Sequence, residues 1–318
     1  SKTVTTKELP SWLDVEIESL ETVAEDILSL KLKAINEDVL PPFEAGSHID
    51  VHVKSGLVRQ YSLSNNARGP SFYRLGILRD PQSRGGSQWI HDHFTPGKQI
   101  RIGRPRNNFP LEKQASHSLL FAGGIGITPI LSMAHELKAR GESFELHYCV
   151  RDDAKIAFRE ELSEFGNQVH FHLDNGCDDQ KLKINEVLAS PDKTKHLYVC
   201  GPNGFMDFVT SQAIKASWSD DCVHLERFGA EIDTDGDPFT LVAQKSGQTF
   251  EIGPSDTIAD KLVKAGIEVP MSCQSGVCGT CLTTVIEGTP DHRDFVQTDL
   301  EKASNQQITL CCSRSKTK

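Results

Sequence analysis

The chain has 318 residues, of which 37% are hydrophobic and 25% charged, and a formal net charge of −10 at pH 7. This length predicts two or three domains, and the acidic balance argues against a nucleic-acid partner, because phosphate binding needs a basic surface. The sequence contains no run of about 18 apolar residues, so no membrane span is predicted. The first residues lack the apolar core of a secretory signal. Because of this, and because the number of cysteines, nine, is odd, we expect a reducing cytoplasm and no disulfide framework.

The first segment, residues 1–110, predicts an antiparallel β-barrel. Short alternating stretches rich in β-branched residues recur with Gly and Pro between them, as in small barrels. These stretches are Val15–Ile17, Ile27–Leu32, His48–Val53, Arg59–Leu63 and Tyr73–Leu78.

Two motifs in this segment predict a site for a phosphorylated ring cofactor. Arg59-Gln-Tyr-Ser62 offers a cation, an aromatic ring and a hydroxyl, and Ser83-Arg84-Gly-Gly-Ser87 opens a predicted helix. Free backbone N–H groups at a helix start bind anions, and an arginine strengthens such a site. The alternative is that both arginines are solvated surface cations and that Tyr61 belongs to the core.

The second segment, residues 111–228, alternates strands with helices and predicts a parallel α/β domain. The strand Leu119–Ala122 leads into Gly123-Gly-Ile-Gly-Ile-Thr-Pro129, and helical spacing then continues to Gly141, a predicted C-cap. Such a glycine turn brings a nucleotide phosphate to a helix N-terminus, although the final Pro departs from G-x-G-x-x-G. A second glycine turn, Cys200-Gly-Pro202, ends a later strand.

Two side chains in this segment leave alternatives open. Asp152 follows a strand and could accept a hydrogen bond from a ribose hydroxyl while repelling a 2′-phosphate, which favours NADH over NADPH. It could equally be a solvated turn residue, and Asp174 is a second candidate. Cys200 is predicted either beside the nicotinamide or in the apolar core.

The third segment follows an acidic, turn-rich linker at residues 229–238 and occupies residues 239–318. Four residues separate Cys273 from Cys278 and two separate Cys278 from Cys281, which is the plant-type spacing for a [2Fe–2S] cluster. Cys311 or Cys312 provides the fourth thiolate. A structural zinc site is the alternative, but it favours two C-x-x-C pairs where this chain has one. A helix with Asp256 as its N-cap is predicted before the cysteines.

With these motifs in this order, the chain resembles the phthalate dioxygenase reductase and vanillate demethylase reductase family, within the ferredoxin–NAD(P)+ reductase superfamily. The resemblance covers nearly the whole chain, and it includes the strings Glu226-Arg-Phe228 and Glu287-Gly-Thr-Pro-Asp-His-Arg-Asp294. It implies a multidomain α/β plus β protein. The expected domains are an antiparallel FMN-binding β-barrel, a parallel α/β NADH-binding domain and a β-grasp [2Fe–2S] ferredoxin domain.

The resemblance also implies residue roles. The flavin would contact Arg59, Gln60, Tyr61, Ser62 and Ile77, and its phosphate Arg84, Gly85, Gly86 and Ser87. NADH would lie against Gly123, Gly124, Ile125, Gly126, Thr128, Asp152, Cys200, Gly201, Pro202 and Phe228. The cluster ligands would be Cys273, Cys278, Cys281 and Cys311, because the family's Cys-x-Ser-Arg string begins at Cys311. Ser62, Cys200 and Phe228 would act in catalysis, Ser62 near flavin N5 and Phe228 over the isoalloxazine ring until nicotinamide displaces it.

The implied function follows from electron counting. NADH gives two electrons as a hydride and a [2Fe–2S] cluster accepts one, so a flavin is expected between them. The resemblance implies a monomeric reductase that passes electrons from NADH through FMN and the cluster to a Rieske-type oxygenase. The alternatives are an NADH-dependent flavin reductase, a reductase for a different oxygenase class, and an interaction protein with a zinc knuckle.

Overall fold

The computed structural model describes residues 12–36, 38–54, 57–69, 71–80, 85–228, 235–270, 276, 279–294 and 296–318. Three predicted site residues, Arg84, Cys273 and Cys278, lie outside these ranges, as does most of the predicted linker. The chain divides into two compact units, Ser1–Phe228 and Gly229–Lys318. Among the described residues, no helix is both long enough and apolar enough to cross a membrane.

The first unit begins with a six-stranded antiparallel sheet in the order β4-β3-β6-β1-β2-β5. The strands are β1 Trp12–Ala24, β2 Ile27–Ala34, β3 His48–Lys54, β4 Leu57–Ser62, β5 Phe72–Leu78 and β6 Gln99–Gly103. Helix α1 (Gly86–His93) covers one end. Alternate side chains, such as Leu30 and Leu32 on β2, are fully buried in one core. The two outermost strands of the order, β4 and β5, contact each other, so the sheet closes into the predicted barrel.

A five-stranded parallel sheet follows, in the order β11-β10-β7-β8-β9. Its strands are β7 His117–Gly123, β8 Phe144–Val150, β9 Val169–Leu173, β10 Lys195–Gly201 and β11 Val223–Arg227. The helices are α2 Ile127–Arg140, α3 Arg159–Ser163, α4 Ile184–Val187 and α5 Asn203–Lys215. Helix α2 ends at the predicted C-cap, Gly141, which has a left-handed φ of 69°. The strand order reverses between β7 and β10, and ligands of such sheets bind at the carboxyl ends beside this reversal.

Polar contacts join the barrel to the parallel sheet within the first unit. The guanidinium of Arg74 on β5 bonds both carboxylate oxygens of Glu161 on α3, at 3.2 and 2.7 Å. Ser132 on α2 donates to the carbonyl oxygen of Asn65 at 2.8 Å. A Cβ on Gly76 of β5 would lie 2.7 Å from the Thr128 methyl carbon, so the β5 backbone packs directly against the Thr128 side chain. These contacts join the barrel to the sheet that carries the nucleotide turns.

The second unit contains three two-stranded antiparallel ladders among its described residues. They are β12 Phe239–Ala243 with β13 Gln248–Ile252, β14 Leu282–Thr284 with β16 Gln307–Thr309, and β15 Pro290–Asp291 with β17 Arg314–Ser315. The helices are α6 Ile258–Lys264 and α7 Asp299–Ser304.

The predicted N-cap of helix α6 was wrong by one residue. Thr257 caps the helix, because its side chain accepts from the Asp260 N–H at 3.1 Å. The carboxylate of Asp256 accepts instead from the Gly253 N–H at 2.8 Å and closes the preceding turn. Asp256 and Thr257 can both cap a helix, but here one closes the preceding turn and the other caps the helix. The sequence pattern does not determine which residue takes which position.

Candidate active site and cluster-binding segment

The two predicted glycine turns meet at the carboxyl ends of β7 and β10. A Cβ on Gly126 would lie 2.1 Å from the Cys200 carbonyl oxygen and 2.7 Å from the Gly201 nitrogen. A Cβ on Gly123 or Gly201 would lie 2.7 or 2.8 Å from the Phe205 ring. The two backbones therefore touch directly, and only glycine fits at these positions. Gly124 has a φ of 52° and faces open space, so this turn offers a backbone cradle that fits a nucleotide phosphate.

The remaining predicted nucleotide contacts lie in or just after the strand ends of this sheet. Ile125 is half-buried, and the buried Thr128 donates from Oγ1 to the Ile125 carbonyl at 3.3 Å. Pro202 precedes the first turn of α5. Asp152 lies two residues after the end of β8, and its Oδ1 accepts from the Ala154 N–H at 3.1 Å. Asp152 therefore caps a local turn in this structure.

The predicted flavin contacts also lie together, at the start of α1 and on β4. A Cβ on Gly86 would lie 3.0 Å from Nε of Arg59, so the Arg59 side chain covers the first turn of the helix. Gly85 adopts a left-handed φ of 94°, and the buried Ser87 hydroxyl accepts from the Asp80 N–H at 3.2 Å. A helix N-terminus beside a guanidinium fits a phosphate.

The other predicted flavin residues differ in exposure. Gln60 and Tyr61 are half-buried on β4. The side chain of Ile77 is fully buried in the barrel core, and its carbonyl oxygen accepts from Nε2 of His91 at 2.8 Å. Any contact between Ile77 and a flavin is therefore expected to involve its backbone.

Ser62 makes a contact that links the barrel to the end of the parallel sheet. Its hydroxyl donates to Oε1 of Glu226 on β11 at 3.2 Å. Burial raises the pKa of Glu226 to about 7, although the Ser62 hydrogen bond acts in the opposite direction. Glu226 can therefore exchange a proton near neutral pH. In the sequence, Glu226 stands out only as part of the family string that ends at Phe228, and this string implies no role for it.

Cys200 and Phe228 adjoin this pair. Cys200 lies opposite Glu226 in the register of β10 and β11, and its side chain is fully buried. Burial, and then the charge of Glu226, raises the pKa of the Cys200 thiol well above its usual value. Phe228 is half-buried and packs against the core cluster that contains Cys200. Ser62, Glu226 and Cys200 thus lie where barrel and sheet meet, and Phe228 follows Glu226 by two residues.

In the second unit, three buried thiols lie together. The thiol of Cys311 interacts with those of Cys281 and Cys312, and Cys312 also lies 3.3 Å from the Thr309 hydroxyl. Gly276 and Gly279 both have a φ of 75°, so the loop needs glycine at these positions. This sulfur donor set fits an iron–sulfur cluster, whose ligands are thiolates.

Arg314 fixes the segment that follows these cysteines. It is 2% exposed and donates to the carbonyl oxygens of Asp256, Asp237 and Gly253 at 2.8, 2.9 and 3.0 Å. The Arg of the Cys-x-Ser-Arg string therefore ties the C-terminal strand to the start of the unit and holds the preceding cysteines in place.

Comparisons with known proteins agree with this architecture. A family model described as the 2Fe-2S iron-sulfur cluster binding domain matches residues 241–316, and one described as the oxidoreductase NAD-binding domain matches residues 120–211. A vanillate O-demethylase oxidoreductase from Pseudomonas sp. (strain HR199) is 48% identical over 308 residues, which covers 96% of this chain and 97% of the relative. A tetrachlorobenzoquinone reductase from Sphingobium chlorophenolicum is 41% identical over 316 residues, 96% of each chain.

A solved structure gives the same result. Phthalate dioxygenase reductase from Burkholderia cepacia is 40% identical over 318 residues, 98% of each chain. The structure of phthalate dioxygenase reductase, described as a modular structure for electron transfer from pyridine nucleotides to [2Fe-2S], superposes with a TM-score of 0.87 over 96% of each chain.

Fold and site together define an NADH-dependent oxidoreductase with a flavin-binding barrel, a nucleotide-binding sheet and a ferredoxin unit. The chain belongs to the family of phthalate dioxygenase reductase and vanillate O-demethylase oxidoreductase, which includes reductase components of oxygenase systems. Its cofactors are NADH, FMN and a [2Fe–2S] cluster, so the predicted fold class and cofactors are confirmed.

Proposed function

We propose that this chain is the reductase component of a two-component Rieske-type oxygenase and delivers electrons from NADH to that partner. The main support is the full-length similarity to reductases named for a demethylase and a dioxygenase. When bound, the cofactors supply hydride transfer and single-electron transfer, and the protein positions them.

In this proposal the residues of the first unit orient the two ring systems. The start of α1 and Arg59 hold the flavin phosphate, with Arg84 as the second cation. Gly123, Gly124, Gly126 and Gly201 hold the NADH phosphates against backbone N–H groups. Ser62 lies at the flavin edge, and Glu226, to which the Ser62 hydroxyl donates at 3.2 Å, holds or releases a proton there. Phe228 covers the ring face when nicotinamide is absent.

In the second unit, Cys273, Cys278, Cys281 and Cys311 are the proposed ligands, and Cys312 is not. The support for Cys311 is its contact with the thiols of both Cys281 and Cys312, whereas Cys312 lies beside the hydroxyls of Thr309 and Ser313, at 3.3 and 3.9 Å. We place the domain boundaries at residues 110 and 238, and we expect the protein to be a monomer. We also expect it to work in the cytoplasm, where thiolate ligands stay reduced.

The test uses purified protein with a Rieske-type oxygenase and a small-molecule electron acceptor side by side. Cys281→Ser should retain NADH oxidation with ferricyanide and lose reduction of the oxygenase. An unchanged rate to the oxygenase in this variant would refute the proposal and favour the flavin-reductase alternative.

The tetrachlorobenzoquinone reductase relative suggests one further acceptor to include. If NADH-dependent reduction of a chlorinated benzoquinone greatly exceeds that of every Rieske oxygenase tried, the physiological acceptor is a quinone and not an oxygenase.

A further inference from the structure

A group of histidines with one glutamate lies on strands β8 and β9 of the parallel sheet, apart from the glycine turns at the strand ends. Strand β8 carries Glu145-x-His147, and strand β9 carries His170-x-His172. Alternate residues of a strand share one face, and His147 is paired with His170 in the register of the two strands. Four side chains that can bind metal ions therefore lie on one face of two adjacent strands.

His147 is the central member of this group. It is 4% exposed, and its ring is stacked against Phe121, His170 and His172 at centroid distances of 5.5, 4.9 and 5.2 Å. Its Nδ1 lies 2.9 Å from Nε2 of His172. Its Nε2 is buried and has no hydrogen-bond partner among the described residues. A buried polar atom without a partner requires an explanation, such as an ion.

The neighbouring donors surround this nitrogen. Donor atoms of Glu145, His147 and His170 lie within 4.8 Å of one another. The Glu145 carboxylate lies 3.6 Å from Nε2 of His147 and 3.5 Å from Nε2 of His117. Ligands on a tetrahedral Zn²⁺ with bonds of about 2.1 Å are about 3.4 Å apart. The His170 ring is now stacked at 14° to that of His147, so it must turn about its side-chain bonds to direct a nitrogen at the same ion, and its exposure to solvent leaves room for this turn.

The donor types suit a cation. Imidazole nitrogens and a carboxylate oxygen are ligands that zinc takes in proteins.

We propose that Glu145, His147 and His170 bind one Zn²⁺ ion on the face of strands β8 and β9. His172 acts as a positioning residue, since it accepts from Nδ1–H of His147 and so directs the free Nε2 at the ion. Water or His117 takes the fourth position. The ion links the edge strand β9 to β8. Because β8 ends at Val150, two residues before Asp152, this link stabilises the adenosine end of the nucleotide site.

The experiment loads the full-length holoprotein with one equivalent of ZnCl₂, removes free metal by desalting, and measures zinc by mass spectrometry. The cluster iron and flavin absorbance report that the cofactors are intact. We expect one retained zinc per chain. Zinc K-edge absorption should show only nitrogen and oxygen neighbours at about 2.0–2.1 Å. A sulfur neighbour at about 2.3 Å would place the zinc on cysteines and overturn the proposal.

Variants locate the ion. His170→Ala and Glu145→Gln should each lose the retained zinc, and His172→Ala should weaken zinc binding by about 10–100-fold. The matched control is His196→Ala, in the second histidine pair of the same sheet, where Nδ1 of His196 lies 2.9 Å from Nε2 of His224. This variant should retain zinc. The proposal is overturned if zinc is retained in His170→Ala and Glu145→Gln, or is lost in His196→Ala.

Discussion

Gly126→Ala tests whether backbone contact between the two glycine turns sets the nucleotide geometry. The added methyl carbon would lie 2.1 Å from the carbonyl oxygen of Cys200, where the closest ordinary contact is about 3.4 Å. The turns must therefore separate by about 1.3 Å. A misplacement of about 1 Å between reacting groups can slow a reaction by about 100-fold. Overpacking of this kind also destabilises a fold by about 1–3 kcal/mol.

The assay is anaerobic stopped-flow reduction of the bound flavin by NADH, with flavin content and thermal unfolding measured on the same samples. We expect flavin to remain bound, because Gly126 lies in the nucleotide cradle, and the limiting rate of flavin reduction to fall by about 100-fold. Gly204→Ala is the matched control, since Gly204 lies in the first turn of α5 and a Cβ there meets no atom within 4 Å. Its rate should equal that of the wild type. A wild-type rate in Gly126→Ala would refute the reasoning.

Three further predictions concern charge and the cluster. Because burial raises the pKa of Glu226 to about 7, its ionised form opposes folding. The unfolding free energy of the flavin-free protein should therefore fall as pH rises from about 4.5 through 7, and Glu226→Gln should remove this loss, at most about 3 kcal/mol, in denaturant titrations. Arg74→Met breaks a partly buried ion pair (17% exposed on the Arg side) and should destabilise the first unit by about 2–4 kcal/mol. Arg79→Met breaks an exposed pair (43%) and should change stability by less than about 1 kcal/mol in the same titration. Cys311→Ser should abolish the visible and EPR spectra of the cluster while Cys312→Ser keeps them, and the reverse result would exchange the two assignments.

The parts that follow local rules were predictable from the sequence. The two glycine turns, the C-cap at Gly141 and the barrel strands depend on residues close in sequence, and the structure has them where they were expected. Spacing alone also predicted the cysteine motif, with Cys311 or Cys312 as its fourth member, and the structure brings the thiols of Cys281, Cys311 and Cys312 together in the second unit.

The parts that depend on distant pairing were not predictable. Glu226 contacts Ser62 across 164 positions of sequence, and its raised pKa comes from burial, which no local pattern reports. The histidines of β8 and β9 were likewise passed over, because only the register of the two strands aligns His147 with His170. The choice between Asp256 and Thr257 as helix cap depends on which side chain hydrogen-bonds to Gly253 in the preceding turn.

The contacts between the barrel and the parallel sheet determine where this protein can be cut and recombined. Arg74 with Glu161, Asn65 with Ser132, and Ser62 with Glu226 all cross residue 110. A fragment that ends there would expose each partner unpaired, whereas the compact units divide after Phe228. In a chimeric reductase, the ferredoxin unit should therefore be exchangeable on its own, whereas the barrel and the parallel sheet should be kept together from one parent. The junction of such a fusion should lie in the acidic segment, residues 229–238.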